Sequence, residues 1–378
     1  MKNITAKSIA FFKKETVLSI AAILAAISMF FVKPNKEYAG YIDFRTLGIL
    51  LSLMIIMEGF KRTGFFDDIG VALLKHTKKL WQLLLVLVFL CFFFSMFITN
   101  DVALLTFVPF TVKILEKCDK QKAMIPTIIL QTIAANLGSM MTPIGNPQNL
   151  YLYGVMGVSI GKFMLVLLPY TAITLGLLLL SILLIKDKSS EVSAKGTAEE
   201  NPGQKLVSKQ NMLYALLFIL ALLVVARVVF WGILLAAVVI IVVITDKETL
   251  KTVDYALIFT FIAFFILIGN LGNISAIRDA LTRIVEEKEV YVAVLSSQFI
   301  SNVPATLLLS GFTNDYRSLL IGVNLGGLGT FIASMASLIS YKIYAHNYNE
   351  TKGRYLLLFT VVNVIYLIIL LLGYMIIG

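Results

Sequence analysis

Charged residues are scarce in this chain. Asp, Glu, Lys and Arg make up 14% of its 378 residues, against roughly 25% in a soluble domain. Hydrophobic residues reach 59%, and the mean hydropathy is +0.90. One water-soluble core does not bury that much apolar surface, so lipid must serve as part of the solvent. Because each bilayer span takes about 20 mostly apolar residues, and such runs fill the sequence, the composition predicts an all-α polytopic membrane protein.

Cysteine and histidine are also rare. The two cysteines, Cys91 and Cys118, and the two histidines, His76 and His346, form no disulfide framework and no metal-binding spacing. The sequence contains no nucleophile elbow, no phosphate-binding P-loop and no histidine cluster. These absences argue against an enzyme and against a bound cofactor. Without a nucleotide site, a gradient of an ion such as Na+ or H+ is the energy source that remains for an active membrane process.

The positive charge follows a pattern. The net charge is +10, but Lys and Arg stand in short connections between apolar runs, as the positive-inside rule describes for membrane proteins. This placement argues against nucleic acid as a partner and indicates the lipid bilayer of the cytoplasmic membrane. Four lysines before the first apolar run predict a cytoplasmic N-terminus: Lys2, Lys7, Lys13 and Lys14.

One hydrophilic stretch divides the chain. Residues 186–210 are polar and charged, which is typical of a flexible cytoplasmic linker. They separate a first transmembrane repeat, residues 1–185, from a second, residues 211–378. The apolar runs predict about nine spans plus two re-entrant hairpins. The region 211–245 is long enough for two tight spans, and the choice between one span and two stays open.

Two polar tips interrupt apolar runs. Thr99-Asn100-Asp101 lies between the runs at about 81–98 and 102–115, and Ser301-Asn302 lies between two runs in the second repeat. Each tip is either a turn outside the membrane or the tip of a re-entrant hairpin buried in protein. We favour the hairpin, because non-helical backbone at membrane depth must line protein or a cavity.

Two further spans are broken near their middle. The first break is Thr142-Pro143-Ile144-Gly145-Asn146-Pro147, and the second follows Asn324 and runs through three glycines to Thr330. Proline removes a backbone donor, so backbone groups are freed inside the span. Such discontinuous helices are where transporters bind their substrates and ions.

The hairpin and the break recur in the same order. Phe97 to Asn100 resembles Phe299 to Asn302, 202 residues further on, and Asn136-Leu137-Gly138 matches Asn324-Leu325-Gly326, 188 residues further on. Chance matches between apolar segments are the alternative. Two matches in one order, each at a predicted break, favour two inverted repeats with the site between them near the midplane.

The candidate substrate- and ion-binding residues lie at these tips and breaks. Amide and hydroxyl oxygens there suit Na+ or a polar solute, and a carboxylate at membrane depth is by default a cation ligand or proton carrier. Capping of a helix by Asn or Asp and close packing of small residues are the structural alternatives. Na+ is a possible ligand of Asn100, Asp101 and Asn146. The full set is Thr99, Asn100, Asp101, Thr142, Gly145, Asn146, Asn149, Ser301, Asn302, Asn324 and Thr330.

Three segments resemble the ion transporter superfamily, which includes ArsB-type arsenite permeases, NhaD-type Na+/H+ antiporters, CitM-type citrate transporters and divalent-anion/Na+ symporters. The resemblance implies two hairpins facing opposite sides, a scaffold that often forms a homodimer, and an elevator movement. In the divalent-anion branch the tips carry Ser-Asn-Thr, whereas the Asn-Asp tip here is nearer the arsenite permeases. The segments are Thr99 to Pro109, Thr142 to Asn149 and Ser301 to Ala305.

The sequence therefore predicts a secondary active transporter of a small anionic solute. A carboxylate such as citrate and an oxyanion such as arsenite both fit. The alternative within transport is an Na+/H+ antiporter in which Asp101 carries the exchanged cation. A channel or a non-transporting receptor on the same scaffold ranks lower, because the polar groups cluster at two breaks and do not line a continuous pore.

Overall fold

The computed structural model describes residues 15–74, 77–186, 189–192 and 208–377. Those residues form 19 α-helices, two short 3-10 turns and no strand. The all-α polytopic fold class is confirmed. The four N-terminal lysines lie outside the described residues, as does most of the linker, so the cytoplasmic N-terminus and the linker's flexibility remain predictions.

The first half of the fold, helices α1 to α9, ends before the linker. Its helices alternate between long apolar rods and short connecting pieces. They are α1 Thr16–Phe31, α2 Tyr38–Tyr41, α3 Phe44–Arg62, α4 Phe65–Leu74, α5 Leu80–Ile98, α6 Asn100–Lys117, α7 Met124–Ser139, α8 Pro147–Met156 and α9 Ile160–Leu184.

The second half, helices α10 to α19, follows the linker. It is built of similar pieces with one additional helix at its start. Its members are α10 Lys209–Val225, α11 Trp231–Thr245, α12 Thr249–Thr252, α13 Tyr255–Gly272, α14 Ser275–Val285, α15 Glu289–Ile300, α16 Asn302–Ser310, α17 Tyr316–Leu325, α18 Met335–Asn347 and α19 Lys352–Ile377.

Four helical segments in the described part are long and apolar enough to cross a bilayer: Leu80–Ile98, Ile160–Leu184, Tyr255–Gly272 and Asn349–Ile377. Region 211–245 holds two helices, α10 and α11, joined at a turn where Arg227 has a φ of 65°. The predicted number of spans, the inverted orientation of the repeats and the domain boundaries remain predictions.

In the apolar helix α1, small residues lie on the buried face and large residues lie on the exposed face. On α1, the buried face consists of Ser19, Ala21, Ala25 and Ser28 and packs closely along α13, because small residues let two helix backbones approach. The large side chains point outward: Phe30 is 86% exposed. With lipid as the solvent, exposing these apolar side chains carries no penalty, and burying them against another helix gains little. Close packing of the helix backbones therefore holds the helices together.

Both polar tips are buried hairpin tips. Thr99, between α5 and α6, has φ 70° and ψ 150°, and Ser301, between α15 and α16, has φ 71° and ψ 154°. These are the same unusual conformation, in a left-handed φ range that non-glycine residues seldom adopt. The following residues, Asn100 and Asn302, are only 5% and 4% exposed. Each tip therefore inserts into the protein and does not form a surface turn.

Gly138 sets the distance between α7 and the first arm of the first hairpin. A Cβ at this position would lie 2.2 Å from the carbonyl oxygen of Phe92 and 2.7 Å from Oγ of Ser95. We expect Gly138→Ala to lower the free energy of unfolding by about 1–3 kcal/mol, because a backbone atom has no room to yield. Gly176→Ala in α9 is the matched control, since nothing lies within 4 Å of its Cβ position.

In thermal unfolding of the two purified variants, Gly176→Ala should unfold at or above the temperature of the parent, because alanine favours a helix by about 1 kcal/mol over glycine. Gly138→Ala should unfold well below it. Equal unfolding temperatures for the two variants would contradict the close approach of α5 and α7.

Candidate functional site

Asn136, on α7, joins the two halves of the fold. Its Oδ1 accepts hydrogen bonds from Nδ2 of Asn100 at 3.1 Å and from Oγ of Ser334 at 3.0 Å. Its Nδ2 donates to Oγ of Ser337 at 3.3 Å and to the carbonyl of Gly327 at 3.4 Å. The side chain is 4% exposed. One amide in the first half thus contacts the first hairpin tip and the second break together.

Asn324, on α17, makes the reciprocal contacts. Its Oδ1 accepts from Nδ2 of Asn146 at 3.2 Å, and its Nδ2 donates to Oδ1 of Asn149 at 2.7 Å. Asn324 lies 188 residues after Asn136, and Ser334 and Ser337 lie 188 residues after Asn146 and Asn149. Each half therefore supplies one amide to the break of the other half, at matching positions.

The hairpin tips are fastened to the breaks by matching backbone bonds. The amide of Asn100 donates to the carbonyl of Gly145 at 3.1 Å, and that of Asn302 donates to the carbonyl of Ala333 at 2.9 Å. In both cases the acceptor immediately precedes the N-cap residue of the next helix. Each tip thus lies beside the start of the helix that follows the break.

The hydroxyls of the two breaks point back to the hairpins. Thr142 donates from Oγ1 to the carbonyl of Met96, and Thr330 donates from Oγ1 to the carbonyl of Gln298 at 3.3 Å. Both acceptors lie three residues before their hairpin tip. These hydroxyls hold tip and break together, which is a positioning role.

Four helices begin at this point. They are α6, α8, α16 and α18. Asn146 accepts from the amide of Asn149 at the start of α8, and Asn100 accepts from the amide of Asp101 at the start of α6. No side chain caps the start of α16 or of α18. Helix N-termini carry partial positive charge that favours anions. Two N-termini without a side-chain cap therefore lie in this cluster of amides and hydroxyls.

Asp101 is the charged residue of this cluster. It lies in the first turn of α6, and its Oδ1 is buried without a hydrogen-bond partner. No ion pair forms at Asp101 within the described residues. The protein thus leaves a half-buried carboxylate that a bound cation or a proton would neutralise.

The family follows from comparison with known proteins. The family model described as citrate transporter matches residues 7–313, most of the chain. The chain belongs to the citrate transporter family. It is accordingly a multi-pass membrane permease and not an enzyme, which confirms the predicted superfamily and the predicted lack of catalysis.

Relatives extend over nearly the whole chain. An uncharacterized transporter of Methanocaldococcus jannaschii is 32% identical over 354 residues, covering 93% of this chain and 94% of the relative. The inner membrane protein YbiR of Escherichia coli is 31% identical over 331 residues, covering 85% and 86%. A silicon efflux transporter of Oryza sativa subsp. japonica is 26% identical over 188 residues, covering 49% and 38%. Of these three relatives of the citrate transporter family member, one has a name that states a cargo, silicon.

All the residues predicted from the sequence lie in or beside this one cluster of the citrate transporter fold. A bond between tip and break connects Asn100, the neighbour of Thr99 and Asp101, with Gly145, and bonds across the halves connect Asn324 with Asn146 and Asn149. Asn302 packs its Nδ2 against Gly327. Whether they bind a ligand remains a prediction.

The three residues predicted as Na+ ligands differ in whether their side-chain oxygen already accepts a hydrogen bond. Oδ1 of Asn100 accepts from the amide of Asp101 at 3.0 Å, and Oδ1 of Asn146 accepts from the amide of Asn149 at 2.9 Å. Both amides therefore cap helix starts, as the structural alternative described. Only Oδ1 of Asp101 has no partner. A cation held here would be anchored at Asp101.

Gln298 was missed by the sequence analysis. Its Nε2 donates to the carbonyls of Gly326 at 3.1 Å and Leu328 at 2.9 Å, and its Oε1 accepts from the amide of Thr330 at 2.9 Å. One side chain thus satisfies three backbone groups of the second break. The equivalent position of the first hairpin, 202 residues earlier, is Met96, so the repeat offered no signal for it.

Arg227 is a structural residue. Its guanidinium donates to the carbonyls of Tyr153 at 3.1 Å and Gly157 at 3.0 Å and lies 4.8 Å from the centre of the Tyr153 ring. These contacts cap the C-terminal end of α8, where a cation complements the helix dipole. Arg227 therefore stabilises the helix that carries Asn149, at its far end.

Proposed function

We propose that the chain is a secondary active transporter of a small anion, moved together with Na+ or H+. Its cargo is a carboxylate such as citrate or an oxyanion such as arsenite. The observation that carries the proposal is the meeting of two uncapped helix N-termini, those of α16 and α18, in the cluster that contains Asp101, whose Oδ1 is buried without a partner. The N-termini favour the anion, and the carboxylate favours the cation.

The reciprocal bonds support alternating access between the halves. Asn136 and Asn324 each bond to groups that belong to the other half, so a movement of the hairpins against the rest of the fold would exchange one set of bonds for another. We propose an elevator-type movement of the hairpins and broken helices in a cytoplasmic membrane. A homodimer would supply the fixed scaffold that such a movement needs.

Asp101 also supports a second candidate, an Na+/H+ antiporter. A carboxylate at membrane depth can alternate between a proton and Na+ without any anion. In that case the uncapped N-termini would only stabilise the charge of Asp101, which lies in the first turn of α6. The two candidates differ in whether an anion binds at all.

Thermal unfolding of the purified protein separates them. A ligand present at about 100 times its Kd stabilises the folded state by about 2.7 kcal/mol. We expect citrate, another di- or tricarboxylate, sulfate, arsenite or silicate to raise the unfolding temperature, and the rise to depend on Na+ or on pH. Silicate joins the panel because one relative is named for silicon efflux.

The double variant Asn100→Ala, Asn302→Ala is the control, because it removes one polar side chain from each hairpin tip. It should lose the response to the anion. A response to Na+ alone would favour the antiporter, and an anion response that survives in the double variant would place the binding site elsewhere.

A further inference from the structure

A large basic cavity lies away from the hairpin tips, at the ends of α5, α7, α9 and α19. Its volume is about 1410 Å³. Four cationic side chains line it, and the lining contains one carboxylate, that of Asp119. The cations are Lys120, Lys122, Lys186 and Arg354. They come from the connection before α7, the end of α9 and the first turn of α19, so the fold brings these charges together.

Within the described residues, none of these four cations forms an ion pair. The lining also includes Ser190, whose Oγ is buried without a hydrogen-bond partner. Ala123 and Pro126, at the start of α7, complete this part of the wall. Cationic side chains without an ion pair and a free hydroxyl are donors that a phosphate group accepts from.

One wall of the cavity is apolar and open to the bilayer. Leu184 at the end of α9 is 82% exposed, and Leu358 on α19 is 36% exposed, with its neighbour Leu357 at 68%. Leu184 and Leu358 line the cavity itself. A ligand in this position has polar donors at one end and a lipid-facing surface at the other.

We infer that this cavity holds the phosphate headgroup of an anionic phospholipid, with the acyl chains lying along α9 and α19. Basic cavities between transmembrane helices at the membrane surface are sites of this kind. A free phosphate ion shares the headgroup chemistry but gains nothing from the leucine wall, which favours the lipid. The site lies apart from the proposed transport site, so it holds or fails independently of the proposed function.

The test compares two triple variants of the full chain, each of which removes three positive charges. The cavity variant is Lys120→Gln, Lys122→Gln, Arg354→Gln. The control variant is Lys209→Gln, Lys247→Gln, Lys342→Gln, at exposed positions outside the cavity. Binding of phosphatidylglycerol and of phosphatidylcholine is measured by native mass spectrometry of the purified proteins, with inorganic phosphate and glycerol phosphate as soluble competitors.

We expect the parent protein to retain phosphatidylglycerol in preference to phosphatidylcholine. The cavity variant should lose at least about tenfold in affinity for phosphatidylglycerol, and the control variant should stay near the parent. A charge-conserving variant, Lys120→Arg, Lys122→Arg, Arg354→Lys, should also stay near the parent, which separates lost charge from misfolding. Equal losses in both Gln triples would overturn the site, and so would displacement of the lipid by millimolar phosphate.

Discussion

Replacing Asn136 by alanine should cost about 3 kcal/mol of folding free energy and abolish the anion-induced stabilisation. The variant removes the partner of Asn100, Ser334 and Ser337 at once. A buried polar group without a partner costs about 1–3 kcal/mol. The measurement is thermal unfolding of the purified variant, with and without the anion that stabilises the parent.

Asn363→Ala is the matched control for this variant. Asn363 is fully buried in α19, and among the described residues its side chain makes one hydrogen bond, from Nδ2 to the carbonyl of Phe359 in its own helix at 2.8 Å. Its loss should cost less than about 1 kcal/mol, and the response to the anion should remain. If both variants lose the same stability, Asn136 does not connect the two halves in the way its contacts indicate.

Asp101→Asn should remove the dependence on the coupling cation. Its Oδ1 is buried without a partner, so the parent without a bound cation carries an uncompensated charge that the variant lacks. We expect the variant to be at least as stable as the parent without a bound cation. Its unfolding temperature should not change with Na+ concentration, nor with pH over the range in which that of the parent does. In the parent, a saturating cation at about 100 times its Kd should add about 2.7 kcal/mol.

Transport into liposomes provides the second readout for Asp101→Asn. Uptake driven by a cation gradient should disappear. The control is Asp279→Asn, whose carboxylate is exposed and lies 3.3 Å from its neighbour Arg278; such a pair contributes little. Unchanged Na+ and pH dependence in the Asp101 variant would remove the coupling role from this residue and leave the anion site unaffected.

The sequence predicted the fold class and the positions of the two tips and two breaks, for a physical reason. Asn, Pro and Gly inside an apolar run are costly in a membrane, so their presence at Asn100, Asn302 and Gly145 required an explanation that only a tip or a break supplies. The matching dihedral angles of Thr99 and Ser301 and the matching bonds at both tips agree with this interpretation.

The partners across the two halves were not predicted. Asn136 entered the sequence analysis only as part of a repeat match, because its contacts lie almost 200 residues away along the chain and depend on how the halves are docked. Gln298 has no counterpart in the first hairpin, so the repeat carried no signal for it. Hydrophobic periodicity and the energetic cost of polar residues inside an apolar run identify breaks in a helix. They do not identify which residues form hydrogen bonds with the groups at the break.

The crossed amides also restrict how this protein can evolve. Because Asn136 is satisfied by Ser334 and Ser337, and Asn324 by Asn146 and Asn149, a change at one position alters the environment of a residue encoded in the other half of the gene. Neither half can therefore drift alone. Compensating changes should appear as pairs separated by almost 200 codons, and a gene divided at the linker would still inherit its two pieces as obligate partners.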